Sequence, residues 1–148
     1  MLISSLFAKK VAIVIQENQK LLMDESLKKE IQSLFTKEDI YLKGKNSIEI
    51  LFDKNRKIKK IFTSGGAQKL VEFALQRGYS SLALVEYKKS SKTLNVVVFV
   101  ADKKVQDRKS KHIAFNPRVR TEDLAKTLLA SVLTLNYELG VLDAKKVY

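Results

Sequence analysis

Apolar side chains recur along this chain with two different periods. Val11-Ala12-Ile13-Val14-Ile15 is a short β-branched run, and Glu17-Asn18-Gln19-Lys20 is a polar turn before Leu21-Leu22-Met23. Ile48 to Phe52 leads through Asp53-Lys54-Asn55-Arg56-Lys57 to Ile58-Lys59-Lys60-Ile61-Phe62. Leu82 to Tyr87 is followed by Lys-Lys-Ser-Ser-Lys and then by Leu94 to Ala101. Each of these segments predicts a β-hairpin, and the unbroken run Val96 to Val100 predicts an interior strand. Tyr41-Leu42 adds one more short strand.

Three other segments repeat at helical spacing. Asp24 stands as a candidate N-cap before Leu27, Ile31, Leu34 and Phe35. After Ser64-Gly65-Gly66, a second helix turns Ala67, Leu70, Val71, Ala74 and Leu75 inward and ends at Gly78. A third helix opens with Thr121 as cap, carries Glu122 and Asp123 at the positive end of its dipole, and closes at Gly140. Leu124, Leu128, Val132, Leu135 and Leu139 form its main stripe, and Asp123, Thr127, Thr134 and Glu138 the strip left for water. A helix this apolar belongs in the core or against a second subunit.

Helices alternate with hairpins rather than with single strands. The expected architecture is therefore a single α+β domain over residues 1–148. It has an antiparallel or mixed sheet built from three hairpins, with three helices packed on it. At 148 residues such a domain buries roughly 68–70% of its unfolded surface, enough for a core without staples.

Composition removes several chemistries. Cysteine is absent, which excludes disulfides, thiolate metal sites and cysteine nucleophiles and suits a cytoplasmic location. His112 is the only histidine, so histidine-rich metal sites and an ordinary base-and-orienter pair have no material. Ser64-Gly65-Gly66 lacks the spacing and the trailing Gly-Lys-Ser/Thr of a P-loop, and Gly44-Lys45-Asn46-Ser47 lacks its upstream glycine. Glu86-Tyr87-Lys88 resembles the Glu-x-Lys pair of magnesium-dependent nucleases, with both polar side chains on one strand face, but no aspartate lies between Asp53 and Asp102. No catalytic residue, metal site or cofactor is assigned. Lys9-Lys10 follow the apolar start rather than precede it, the reverse of a secretory signal, and no run reaches membrane-spanning length.

Charge then changes the picture. The chain carries 28 basic and 16 acidic residues, a net +12, which raises the local concentration of polyanions. Lysine excess alone can reflect genome bias, so placement matters more than the total. From Lys103 to Arg120, seven basic residues face only Asp107, a net +6, and three of the five arginines fall there. Read as a long connection, this segment offers Lys103, Lys104, Arg108, Lys109, Lys111, Arg118 and Arg120 to phosphates, with His112, Phe115 and Asn116 for base contact. Lys54, Arg56, Lys57, Lys59 and Lys60 form a second cluster, and Lys88, Lys89 and Lys92 a third. The expected function is non-enzymatic binding of DNA or RNA. The alternative is an adaptor or assembly subunit that forms a homodimer or meets an acidic protein partner, and a third reading is a magnesium-dependent nuclease built on Glu86 and Lys88.

Overall fold

The computed structural model describes residues 9–17, 22–35, 47–54, 57–101 and 108–142. The elements run β1 (Lys10–Glu17), α1 (Glu25–Phe35), β2 (Ser47–Lys54), α2 (Lys57–Gln76), β3 (Ser81–Lys88), β4 (Thr93–Val100), β5 (Arg108–Ala114) and α3 (Thr121–Glu138). The five strands form one mixed sheet in the order β2-β1-β3-β4-β5. β1 pairs parallel with both β2 and β3, while β3–β4 and β4–β5 are antiparallel.

β1 lies between two parallel neighbours because both of its faces are apolar. Val11, Ile13 and Ile15 enter the core under α1 and α3, and Ala12 and Val14 enter the core under α2. That doubly buried pattern belongs to parallel strands covered on both sides. The crossovers through α1 and α2 leave on opposite faces, so the first half of the fold is a small doubly wound unit. β3, β4 and β5 continue it as an antiparallel meander.

Only one expected hairpin forms, Ser81–Lys88 with Thr93–Val100. The return of the first hairpin is not a strand. Met23 is buried at the entrance to α1, and residues 18–21 lie outside those described. The return of the second, Ile58 to Phe62, is helical. Its apolar positions 58, 61 and 62 also fit helical spacing, and Asp53 selects the helix. The buried Asp53 carboxylate accepts Ile58 N–H at 3.0 Å and Lys59 N–H at 3.2 Å, holding free amides at the helix start.

The second helix therefore begins before Ser64-Gly65-Gly66 instead of after it. Gly66 sits at φ 74°, ψ −173° and breaks α2 into two helical halves. No side-chain-bearing residue adopts that conformation without strain. Ser64 donates to Lys60 O at 2.7 Å inside the first half, so the turn is not a free phosphate-binding entrance. Leu70, Val71 and Ala74 are buried as expected, but Leu75 is 51% exposed. The side chains of Phe35 and Ala67, and the Tyr41-Leu42 strand, lie outside the described residues.

α3 is a core helix. Leu124, Ala125, Leu128, Leu129, Val132, Leu133 and Leu135 are buried against the sheet and α1, each worth about 1.5–3 kcal/mol for a large side chain. Its N-cap is Arg120, with no side-chain cap, and Thr121 is the first helical residue. Gly140, at φ 78°, ends it: Gly140 N–H reaches Tyr137 O at 3.0 Å and Val141 N–H reaches Asn136 O at 2.9 Å. Among the described residues no helix is long and apolar enough to cross a membrane.

Candidate nucleic-acid interface

The basic segment expected as a loop contains a strand. Residues 102–107 lie outside the described set, so Lys103 and Lys104 are not placed, and neither is Arg56. From Arg108 to Ala114 the chain pairs antiparallel with β4, Thr93 opposite Ala114 and Phe99 opposite Arg108. Ile113 alone turns into the core, while Arg108, Lys109, Ser110, Lys111 and His112 are all exposed. A strand open on both faces keeps only one apolar anchor, so its backbone pairing carries it.

Strand alternation distributes the charge to both sides of this edge. Arg108 and His112 project on the α2 face, and Lys109 and Lys111 on the α1/α3 face. Arg108 lies over the Phe99 ring, 5.9 Å from its centroid. Lys109 meets Glu138 of α3 at 3.4 Å. His112 places Nδ1 against Asn95 Oδ1, which makes Nδ1 the donor and leaves Nε2 as the remaining ring nitrogen.

The third basic cluster joins this strand. Phe115 N–H donates to Lys92 O at 2.9 Å, so the β3–β4 turn sits beside the end of β5. Asn116 then accepts Arg118 N–H on its side-chain oxygen at 2.8 Å, and Val119 N–H bonds Asn116 O at 2.9 Å. This tight turn sets Pro117 and Val119 in one groove with Lys89 and Lys92 of the hairpin tip, and Arg118 between them is exposed. A strip runs from Arg108 along β5 to Lys92 and Arg118, with β5 alone about 23 Å long. Within the tip, Lys89 is ion-paired to Asp24 at 3.1 Å, which holds its ammonium toward the protein.

Three expected contacts serve the fold as well. One face of the Phe115 ring stacks on Tyr87, centroids 5.7 Å apart and planes within 6°, so that face is closed to a base. The Asn116 oxygen is engaged in its turn. Arg120 meets Glu122 at 3.4 Å.

The second cluster is divided. Lys54 ends β2 and lines one groove with Lys57 at the opposite sheet edge, whereas Lys59 lies over the Phe62 ring at 5.5 Å, and that ring packs 5.3 Å from Phe99, the ring that Arg108 covers. Four strand spacings separate β2 from β5, about 19 Å. Lys88 and Lys92, placed by the turn, are the members of the strip that a reading of the basic connection alone does not reach. The signal for them was their hairpin, which fixes them next to whichever strand pairs with β4.

The carboxyl ends of the parallel strands are where open sheets of this kind hold ligands. Here Asp53 is taken by α2, and Glu17 lies 2.5 Å from the Lys28 ammonium, which raises the Lys28 pKa. Gln16 is fully buried beside Asp53, with neither side-chain amide atom hydrogen-bonded. Glu86 and Lys88 share the α2 face of β3, but β1 intervenes between them and Asp53. Among the described residues no three histidine or carboxylate side chains converge as a metal site.

No protein-family model matches this chain, and no curated protein matches it. Among solved structures, protein VC0702 from Vibrio cholerae is similar over 90% of this chain and 77% of its own, at 14% identity and a TM-score of 0.27. A likeness of that size carries no argument about fold or function.

Proposed function

We propose that this chain is a non-enzymatic nucleic-acid-binding module whose contact surface is β5 with the adjoining β3–β4 tip. The observation that supports the reading most is the merger of two basic clusters into one exposed strip. Arg108, Lys111, Lys92 and Arg118 are its phosphate contacts, and His112 is the group with a free ring nitrogen for a base edge or phosphate. The attachment is electrostatic and reads the backbone rather than the sequence.

Four phosphate contacts set a measurable scale: log affinity against log salt should fall with a slope of about −3.6 on duplex DNA and about −2.8 on single strands. Anisotropy titrations of a labelled oligonucleotide between low and moderate salt read this directly. Affinity that does not move with salt overturns the proposal.

One observation favours a second reading, an acidic protein segment as ligand. β5 is an edge strand, and its outward backbone groups suit an added strand. An acidic peptide that protects β5 amides from hydrogen exchange, in a chain without affinity for oligonucleotides, selects this reading over the first.

A further inference from the structure

The two edges of the sheet are unlike. β5 is cationic, a common guard against edge-to-edge pairing, whereas β2, the other edge among the described residues, carries its one lysine at its end, Lys54. Ser47 to Phe52 are each half-buried, and four of them are Ile48, Ile50, Leu51 and Phe52. The strand is unkinked, in continuous register with β1 over all eight residues. Its carboxylate Glu49 is drawn to Lys10 at 3.0 Å and to the Tyr79 hydroxyl at 2.7 Å. Beside it runs a groove of about 670 Å³ lined by Leu51, Ile58, Ile61 and Phe73, with Lys57 and Arg77 in its wall.

We propose that β2 pairs antiparallel with β2 of a second copy of this chain, joining the two sheets across a two-fold axis into one of ten strands. A two-fold axis normal to the sheet keeps each face continuous, so opposed residues must share a face. Charge then chooses among the registers near the middle of the strand. Centring on Glu49 sets that carboxylate against its own copy, and centring on Leu51 sets Glu49 against Asp53. Centring on Ile50 sets Ile48 against Phe52 and Ile50 against itself, an apolar row on the α1/α3 face. In that register Glu49 of the second copy falls opposite Leu51, on the face where the groove carries Lys57 and Arg77. Like charges directly opposed destabilise a sheet pair and apolar pairs stabilise it, so the Ile50-centred register is the one formed.

Because the chain has no cysteine, a single introduced thiol reports this contact without background. Directly opposed residues lie about 4.5–5.5 Å apart at Cα, within disulfide reach. Ile50→Cys should form a disulfide-linked dimer on mild oxidation, while Leu51→Cys and the exposed helix position Ala130→Cys should not. Light scattering of the unmodified chain should give twice 16.8 kDa, and Ile50→Lys, checked for native circular dichroism, should give the single-chain mass. A monomer at about 0.1 mM overturns the proposal, since a dimer of micromolar affinity is formed there. Linking of Ile50→Cys no faster than Ala130→Cys, or slower than Leu51→Cys, overturns it as well. Neither readout involves oligonucleotide, so it stands or falls separately from nucleic-acid binding.

Discussion

Ser81 and Asn136 tie the start of β3 to the last turns of α3: the Ser81 hydroxyl donates to Asn136 Oδ1 at 2.5 Å, and both side chains are buried. Asn136 also donates through Nδ2 to Val132 O at 2.8 Å. A buried amide with both ends engaged fixes how α3 sits on the sheet. Asn136→Ala leaves the Ser81 hydroxyl unpaired and should cost about 1–3 kcal/mol in urea unfolding. Adding Ser81→Ala should cost less than the two single changes together, since the pair acts as a unit.

Gly66 gives a second stability prediction. A Cβ built there meets nothing within 4 Å, yet φ is +74°. Gly66→Ala should therefore destabilise by about 1–3 kcal/mol through backbone strain alone. The measurement is the same unfolding titration, with β5 amide protection unchanged as a sign that the effect is local.

The Glu49–Tyr79 contact predicts two pH limbs. Burial first, and then the bond to Glu49, push the Tyr79 phenol up to about 12, while the Tyr79 hydroxyl and then Lys10 hold Glu49 below the ordinary carboxylate value. Between the ordinary phenol value near 10 and the folded value, the unfolded chain releases its proton first, so stability falls as pH rises. On the acid side, the Glu49 contribution is present above its ordinary value and is lost as pH falls through its depressed one. Tyr79→Phe should flatten both limbs. Burial also raises Tyr87 and Tyr137, so some alkaline slope should remain.

Arg108→Ala and Lys111→Ala should each weaken oligonucleotide binding about evenly across sequences and reduce the salt slope by about 1. Lys54→Ala with Lys57→Ala removes the same charge from the β2 edge of the sheet. That variant should keep the slope within experimental error. Equal losses from both pairs would mean that total charge, and not the β5 strip, governs binding.

Much of the architecture was legible wherever both the period and the caps agreed. The β3–β4 hairpin, the stripe of α3, Leu27 and Ile31 on α1, and the stops at Gly78 and Gly140 follow from local sequence. Ile58 to Phe62 did not, because Ile-Lys-Lys-Ile-Phe fits either period and the deciding group, Asp53, acts through backbone amides. β1 hid its partners: parallel neighbours lie a crossover away, while a nearby polar turn suggests a hairpin. β5 was illegible as a strand for a different reason. With one anchor at Ile113 and its other side chains in water, it has no apolar alternation. The charge of the candidate surface was visible, but its continuity depends on pairing β5 with β4, and the distance of Lys54 and Lys57 on the order of strands that precede it.

The cationic edge has a consequence for how far any assembly can grow. A sheet with two adhesive edges adds copies without limit and ends as a fibre. In the dimer proposed above, the β2 edge is consumed by pairing with itself, and what remains outward on both sides is β5. Two such ends carry the same sign and repel each other, so growth terminates at two. Arg108, Lys109 and Lys111 of β5 act in that setting as end-stops, holding in solution a strand that would otherwise invite polymerisation.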